Sequence, residues 1–181
     1  MKEKGYKRFG WPSAFSHYTM SDVLKDSIIP VIIALVITAI IFIGEKDIIT
    51  TIEKVSGIGL NITPAMVALI LAAYTILITM YWAPICDKIK LDEKAGLPLL
   101  KGLNASFAIT IRIATIGIVF LLATNSIGTI SIPISANIAN YLNTFILFLT
   151  LYFIVFPICM LIDIAINIYN IAIFSIEIKN K

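Results

Sequence analysis

Charge is scarce in this chain, and so is the chemistry that charge supports. Only 14% of its 181 residues are Asp, Glu, Lys or Arg, against roughly 25% in an ordinary soluble domain. Histidine occurs once, at His17, and arginine twice, at Arg8 and Arg112. No HExxH, nucleophile elbow or phosphate-binding glycine loop is present, and no pair of carboxylates stands beside a histidine. The expectation is therefore a non-enzymatic protein without cofactor. Cysteine is equally thin, with Cys86 and Cys159 far apart and without histidine neighbours, so no metal site is expected. Both fall toward the side assigned below to the cytoplasm, where thiols stay reduced. The small net charge of +3 does not call for nucleic acid, because the lysines flank apolar runs where topology explains them.

What fills the space is apolar: 59% of the residues are hydrophobic, with a mean hydropathy of +0.96. A bilayer core of about 30 Å takes about 20 residues of helix, and four stretches qualify. They lie at about 27–44, 63–85, 103–124 and 140–165. Thr63 reads as an N-cap for the second, with Pro64 in the first helical position. The fourth sits in a run from Ala136 to Ile176 whose 41 residues would extend roughly 61 Å as one helix. Two readings fit it: a helix that outreaches the bilayer, or a break at Pro157. Its last part alternates isoleucine with other residues, as a strand does. Asp163, Asn167 and Asn170 nevertheless share one helical face, and an unpaired strand at membrane depth leaves its backbone unsatisfied. Helix is the expectation.

Basic residues set the orientation. Five precede the first span, four occupy the second loop and two end the chain, whereas the first loop has two and the third none. The positive-inside rule then places both termini in the cytoplasm. Lysine outnumbers arginine twelve to two and isoleucine and asparagine abound, a usage that fits an AT-rich bacterial genome, so the inner membrane is the expected location. "FIGEKD" after the first span offers no small-x-small cleavage site, and that span is expected to stay.

The fold class that follows is an all-α integral membrane protein. It has four transmembrane helices, a short N-terminal interfacial segment and a short outer amphipathic helix. Residues 1–26 form an aromatic and basic N-terminal segment, 27–176 the four-helix transmembrane domain, and 177–181 a cytoplasmic tail. In the first segment Lys7, Arg8 and Trp11 suit anionic headgroups or a cytoplasmic protein partner. In "DIITTIEKV", Ile48, Ile49, Ile52 and Val55 share a face, which predicts a helix lying on the outer leaflet, with Gly57 and Gly59 turning the chain into the second span. Gly96 and Pro98 similarly punctuate a short helix before the third.

Two constellations carry the functional reading. Arg112 lies nine residues after Leu103, roughly 13 Å of helical rise into the third span, where a central arginine costs about 2.5–3.5 kcal/mol. A protein-facing partner or a water-filled space is expected. Asp163 is the acidic residue at comparable depth, and the two are expected to pair, as an internal salt bridge that fixes helix register or as part of a polar vestibule or ion pathway, with snorkelling of both groups as the remaining reading. Asn104 and Thr115 share the face of Arg112 by helical spacing, and Asn167 and Asn170 that of Asp163. The second constellation is the smooth face of Ala65, Ala68, Ala72, Thr75 and Thr79, which lets another helix approach closely. Together they predict a homo-oligomer acting as a pore or membrane-perturbing effector, or alternatively an anchor for a cytoplasmic partner or an accessory transporter subunit. In size and span count the chain resembles the small four-span membrane components of bacterial anti-phage systems. That likeness is one of plan, carries no residue motif, and implies a setting in antiviral defence.

Overall fold

The computed structural model describes residues 11–44, 47–89, 96–127 and 136–179, with side chains described for most of them. Among these residues every element is helical: α1 (Trp11–His17), α2 (Met20–Gly44), α3 (Ile48–Ile89), α4 (Gly96–Ile127) and α5 (Ala136–Lys179). Four of them contain stretches long and apolar enough to cross a membrane, Met20–Gly44, Ile48–Thr79, Lys101–Ser126 and Ile138–Asn170. The four spans read from the sequence fall within α2 to α5.

The helix starts are fixed by short polar residues. Thr19 precedes α2, and the Asp22 carboxylate accepts from the Thr19 amide at 2.9 Å and its hydroxyl at 2.7 Å. That is one half of a capping box, the third helical residue reaching back to the cap amide, while the Asp22 amide bonds the Thr19 carbonyl at 3.0 Å. Asp47 caps α3 in the opposite sense, from the cap position itself, accepting from the Thr50 amide at 3.2 Å and the Thr50 hydroxyl at 2.6 Å. Two amides that have no helical acceptor are satisfied in this way.

The outer amphipathic helix and the second span are one helix, which corrects the expected turn at Gly57 and Gly59. α3 runs unbroken through both glycines and through Thr63 and Pro64. Thr63 is consequently no cap; it is completely buried in mid-helix. Two physical causes act together. Ending a helix exposes four amides and four carbonyls to an apolar surrounding, which outweighs a penalty of about 1 kcal/mol for each helical glycine. Ile48 and Ile52 also bury themselves against Ala34 of α2 and Leu147 and Leu151 of α5. Half of the apolar face that the sequence assigns to a lipid leaflet, Ile48 and Ile52, is covered by protein, while Ile49 stays exposed.

The same continuity holds elsewhere. Gly96 and Pro98 open α4 itself rather than a separate short helix; proline in a first turn displaces no intrahelical bond. α5 keeps Pro157 inside a single 44-residue helix, roughly 66 Å long, so of the two readings of that run the extended helix is the one found.

Packing pairs α3 with α4 and α5, α2 with α5, α4 with α5, and α1 with α4. The Ser56 hydroxyl meets the Asn125 side-chain carbonyl at 3.4 Å, and the rings of Tyr74 and Phe107 lie 4.9 Å apart, so α3 and α4 run antiparallel. Gly59 packs on Ile154 and Ile52 on the same cluster as Leu151, so α3 and α5 run parallel. Two apolar clusters follow. One, near the Lys101 end, contains Ile70, Leu77, Leu103, Phe107 and Ile164; the other, near the Asp47 end, joins α2 to α3 and α5. α2 presents Ser27, Pro30, Ala34 and Thr38 as its buried stripe, and the Ser27 hydroxyl bonds the Tyr152 hydroxyl at 3.0 Å.

Candidate intramembrane polar site

The polar side chains singled out within the spans divide into those the bundle encloses and those it leaves outside. α5 carries Asp163, Asn167 and Asn170 on exposed positions, beside the buried Ile164. On α4, Arg112 and Thr115 are exposed as well. Thr115 spends its hydroxyl locally, donating to the Ile111 carbonyl at 2.8 Å. Asn104 is half-buried, and its side-chain carbonyl oxygen is enclosed without a hydrogen-bond donor among the described residues. Among the described residues, Arg112 and Asp163 therefore both stand on exposed positions of their helices.

What bears on Asp163 electrostatically comes from the start of α2. Asp26 and Tyr18 lie within Coulombic reach of it, as does Cys159 one turn away on α5. The Tyr18 hydroxyl donates to the Asp26 carboxylate. Burial, and then that bond, hold the Tyr18 phenol above its ordinary range; both penalise the phenolate. The corner between α1 and α2 thus brings a phenol and a carboxylate toward the polar stripe of α5. Nothing in the spacing of the sequence links residue 18 or 26 to residue 163; only the antiparallel packing of α2 on α5 does so.

The α3 face is simpler. Ala65, Ala68, Ala72, Thr75 and Thr79 are all exposed, while Ile70 and Leu77 on the opposite side are buried. Thr75 and Thr79 turn their hydroxyls back to the carbonyls of Leu71 and Thr75 at 2.9 and 2.8 Å, leaving methyl groups outward. Exposed Asn61 extends the same line. From Asn61 the steps are four, three, four, three and four residues, the spacing of a left-handed helix–helix seam. Sequence reasoning missed Asn61, although continuing the repeat by one step would have found it.

For the N-terminal segment, Lys7 and Arg8 lie outside the described residues, and Trp11 opens α1. α1 packs on α4, and between Leu103 and Thr110 α4 is buried on several sides, at Leu103, Ala105, Ser106, Phe107, Ile109 and Thr110. Chemically, the exposed groups on α4 and α5 offer a carboxylate, carboxamides and a guanidinium, a set that hydrates, binds protons and forms hydrogen bonds between helices. No protein-family model, no curated protein and no solved structure matches this chain.

Proposed function

We propose that this chain is a non-enzymatic inner-membrane protein, with both termini cytoplasmic, that assembles with copies of itself into a pore or membrane-perturbing effector. The observation that carries the reading is the exposure of Asp163, Asn167 and Asn170 on α5, inside the stretch Ile138–Asn170 that is apolar enough to cross a membrane. A carboxylate facing lipid costs up to about 2.5–3.5 kcal/mol on insertion scales, the figure for a helix centre, and less toward the end of a span, where Asp163 lies. Water or a neighbouring copy removes that cost. The outward face from Asn61 to Thr79 supports the second half of the reading, since small residues let helices of different copies meet and lipid gives no hydrophobic reason for helices to avoid it. In the assembly, Arg112 and Asp163 form the charged part of a hydrated interior, either within a copy or between copies.

The part of the aromatic segment expected to recruit a cytoplasmic partner includes α1, and α1 packs on α4. That contact favours a structural role for Trp11–His17 over a recruiting one.

The test is purification into lipid nanodiscs followed by native mass measurement, with ion flux followed in liposomes. A defined oligomer is expected that dissociates when Ala68→Leu and Ala72→Leu are combined. Asp163→Asn is expected to leave the oligomer intact and alter the flux. Monomers at every lipid ratio would refute the assembly; oligomers that never pass ions or depolarise a membrane would refute the pore.

A further inference from the structure

Most threonines in these helices hide their hydroxyls in one way. Thr38, Thr75, Thr79, Thr115, Thr124, Thr144 and Thr150 each donate to the carbonyl four residues earlier, at 2.7 to 3.1 Å. Thr63 does not. Its residue is completely buried, and its hydroxyl oxygen has no hydrogen-bond partner among the described residues.

Its position in the chain supplies the second half of a site. Pro64 follows it within α3, and proline has no amide to give to the carbonyl four residues before. The Leu60 carbonyl therefore lacks its helical donor. Leu60 is also the third residue before Thr63, so its carbonyl belongs to the turn that a threonine side chain reaches. An unpaired hydroxyl and a carbonyl without its usual helical amide thus sit in one turn of α3. Thr110 is likewise buried with an unpaired hydroxyl, but no proline follows it to release a carbonyl, so it lacks this second partner.

We propose that α3 binds an ordered water molecule between the Thr63 hydroxyl and the Leu60 carbonyl, a hydration site inside the outer half of the bundle that Pro64 creates. The water donates to the carbonyl and exchanges a hydrogen bond with the hydroxyl, two of the partners that a buried water needs. The site belongs to the single chain and is independent of how copies assemble.

Water-edited solid-state NMR on the labelled full chain in deuterated lipid bilayers tests this. Magnetisation is expected to pass from water to Thr63 and to the Leu60 carbonyl several-fold faster than to Thr38, which is buried and bonded to its own helix. Thr63→Ser retains a hydroxyl and is expected to keep the transfer to Leu60. Thr63→Val is expected to abolish it, and Pro64→Ala, which restores the amide, to do the same. Transfer to Thr63 no faster than to Thr38 would overturn the proposal. So would a Leu60 signal unchanged in both Thr63→Val and Pro64→Ala.

Discussion

Replacing Gly117 by alanine separates two effects that ordinarily point the same way. Alanine is the better helix former by about 1 kcal/mol, so on propensity alone the substitution stabilises α4. The structure opposes this. A Cβ at Gly117 would stand 2.9 Å from Cδ1, 3.0 Å from Cβ and 3.1 Å from Cγ of Phe153. Carbon atoms in good contact sit about 3.5–4.0 Å apart, so Phe153 must withdraw by roughly half an ångström or more. Its ring can rotate, but its Cβ is tied to the α5 backbone, and the helices must part. Overpacking of this kind costs about 1–3 kcal/mol, which leaves Gly117→Ala destabilising by about 0–2 kcal/mol after the propensity gain. Gly57 and Gly102 are the controls: an added Cβ meets nothing within 4 Å at either, so alanine there is expected to be neutral or to stabilise by up to about 1 kcal/mol. The assay is reversible unfolding in mixed micelles, comparing the three variants under one condition. A double-mutant cycle with Phe153→Ala is expected to show coupling of about 0.5–3 kcal/mol, as for residues in contact. If Gly117→Ala stabilises as much as Gly102→Ala, or the cycle is additive, α4 and α5 do not approach each other at this point.

Other outcomes follow from single contacts. Tyr152→Phe and Ser27→Ala are each expected to cost about 0.5–1.5 kcal/mol, with the double variant costing little more than either; full additivity would show that α2 and α5 are not joined by this bond. The Asp47 carboxylate is held below its ordinary range, first by the Thr50 hydroxyl and then by its amide. A group depressed in the fold contributes only above its unfolded value, so the cap is expected to persist at neutral pH and be lost as pH falls through the lowered value. NMR titration of Asp47 should therefore show a midpoint below 3.8, the unperturbed value, and Thr50→Val should raise it. A midpoint unmoved by Thr50→Val would remove the cap from the account. Asp47→Ala is expected to speed amide exchange in the first turn of α3 and nowhere in α4.

The number of helices long and apolar enough to cross a membrane was legible because hydrophobic run length is a bulk property, insensitive to neighbours. The helix ends were not. Gly57, Gly59, Thr63 and Pro64 are punctuation in water, where a broken helix finds solvent for its amides; against apolar surroundings the same residues are carried inside α3. Gly59 illustrates the change of meaning, since its missing side chain makes room for Ile154 and Leu121 rather than for a turn. The small face of α3 was readable from spacing, but that it points away from the chain's own core required the positions of α4 and α5. For Asp163 the helical stripe was visible in the sequence, whereas its neighbours Tyr18 and Asp26 lie well over a hundred residues away and meet it only through packing.

The unbroken course of α3 has a mechanical consequence. A rod of 42 residues is roughly 63 Å long, about twice the thickness of a bilayer's hydrocarbon core. The helix is continuous from its amphipathic start to its Ile89 end, so a displacement at one end is carried toward the other, with Pro64, where one backbone hydrogen bond is missing, as its point of least stiffness.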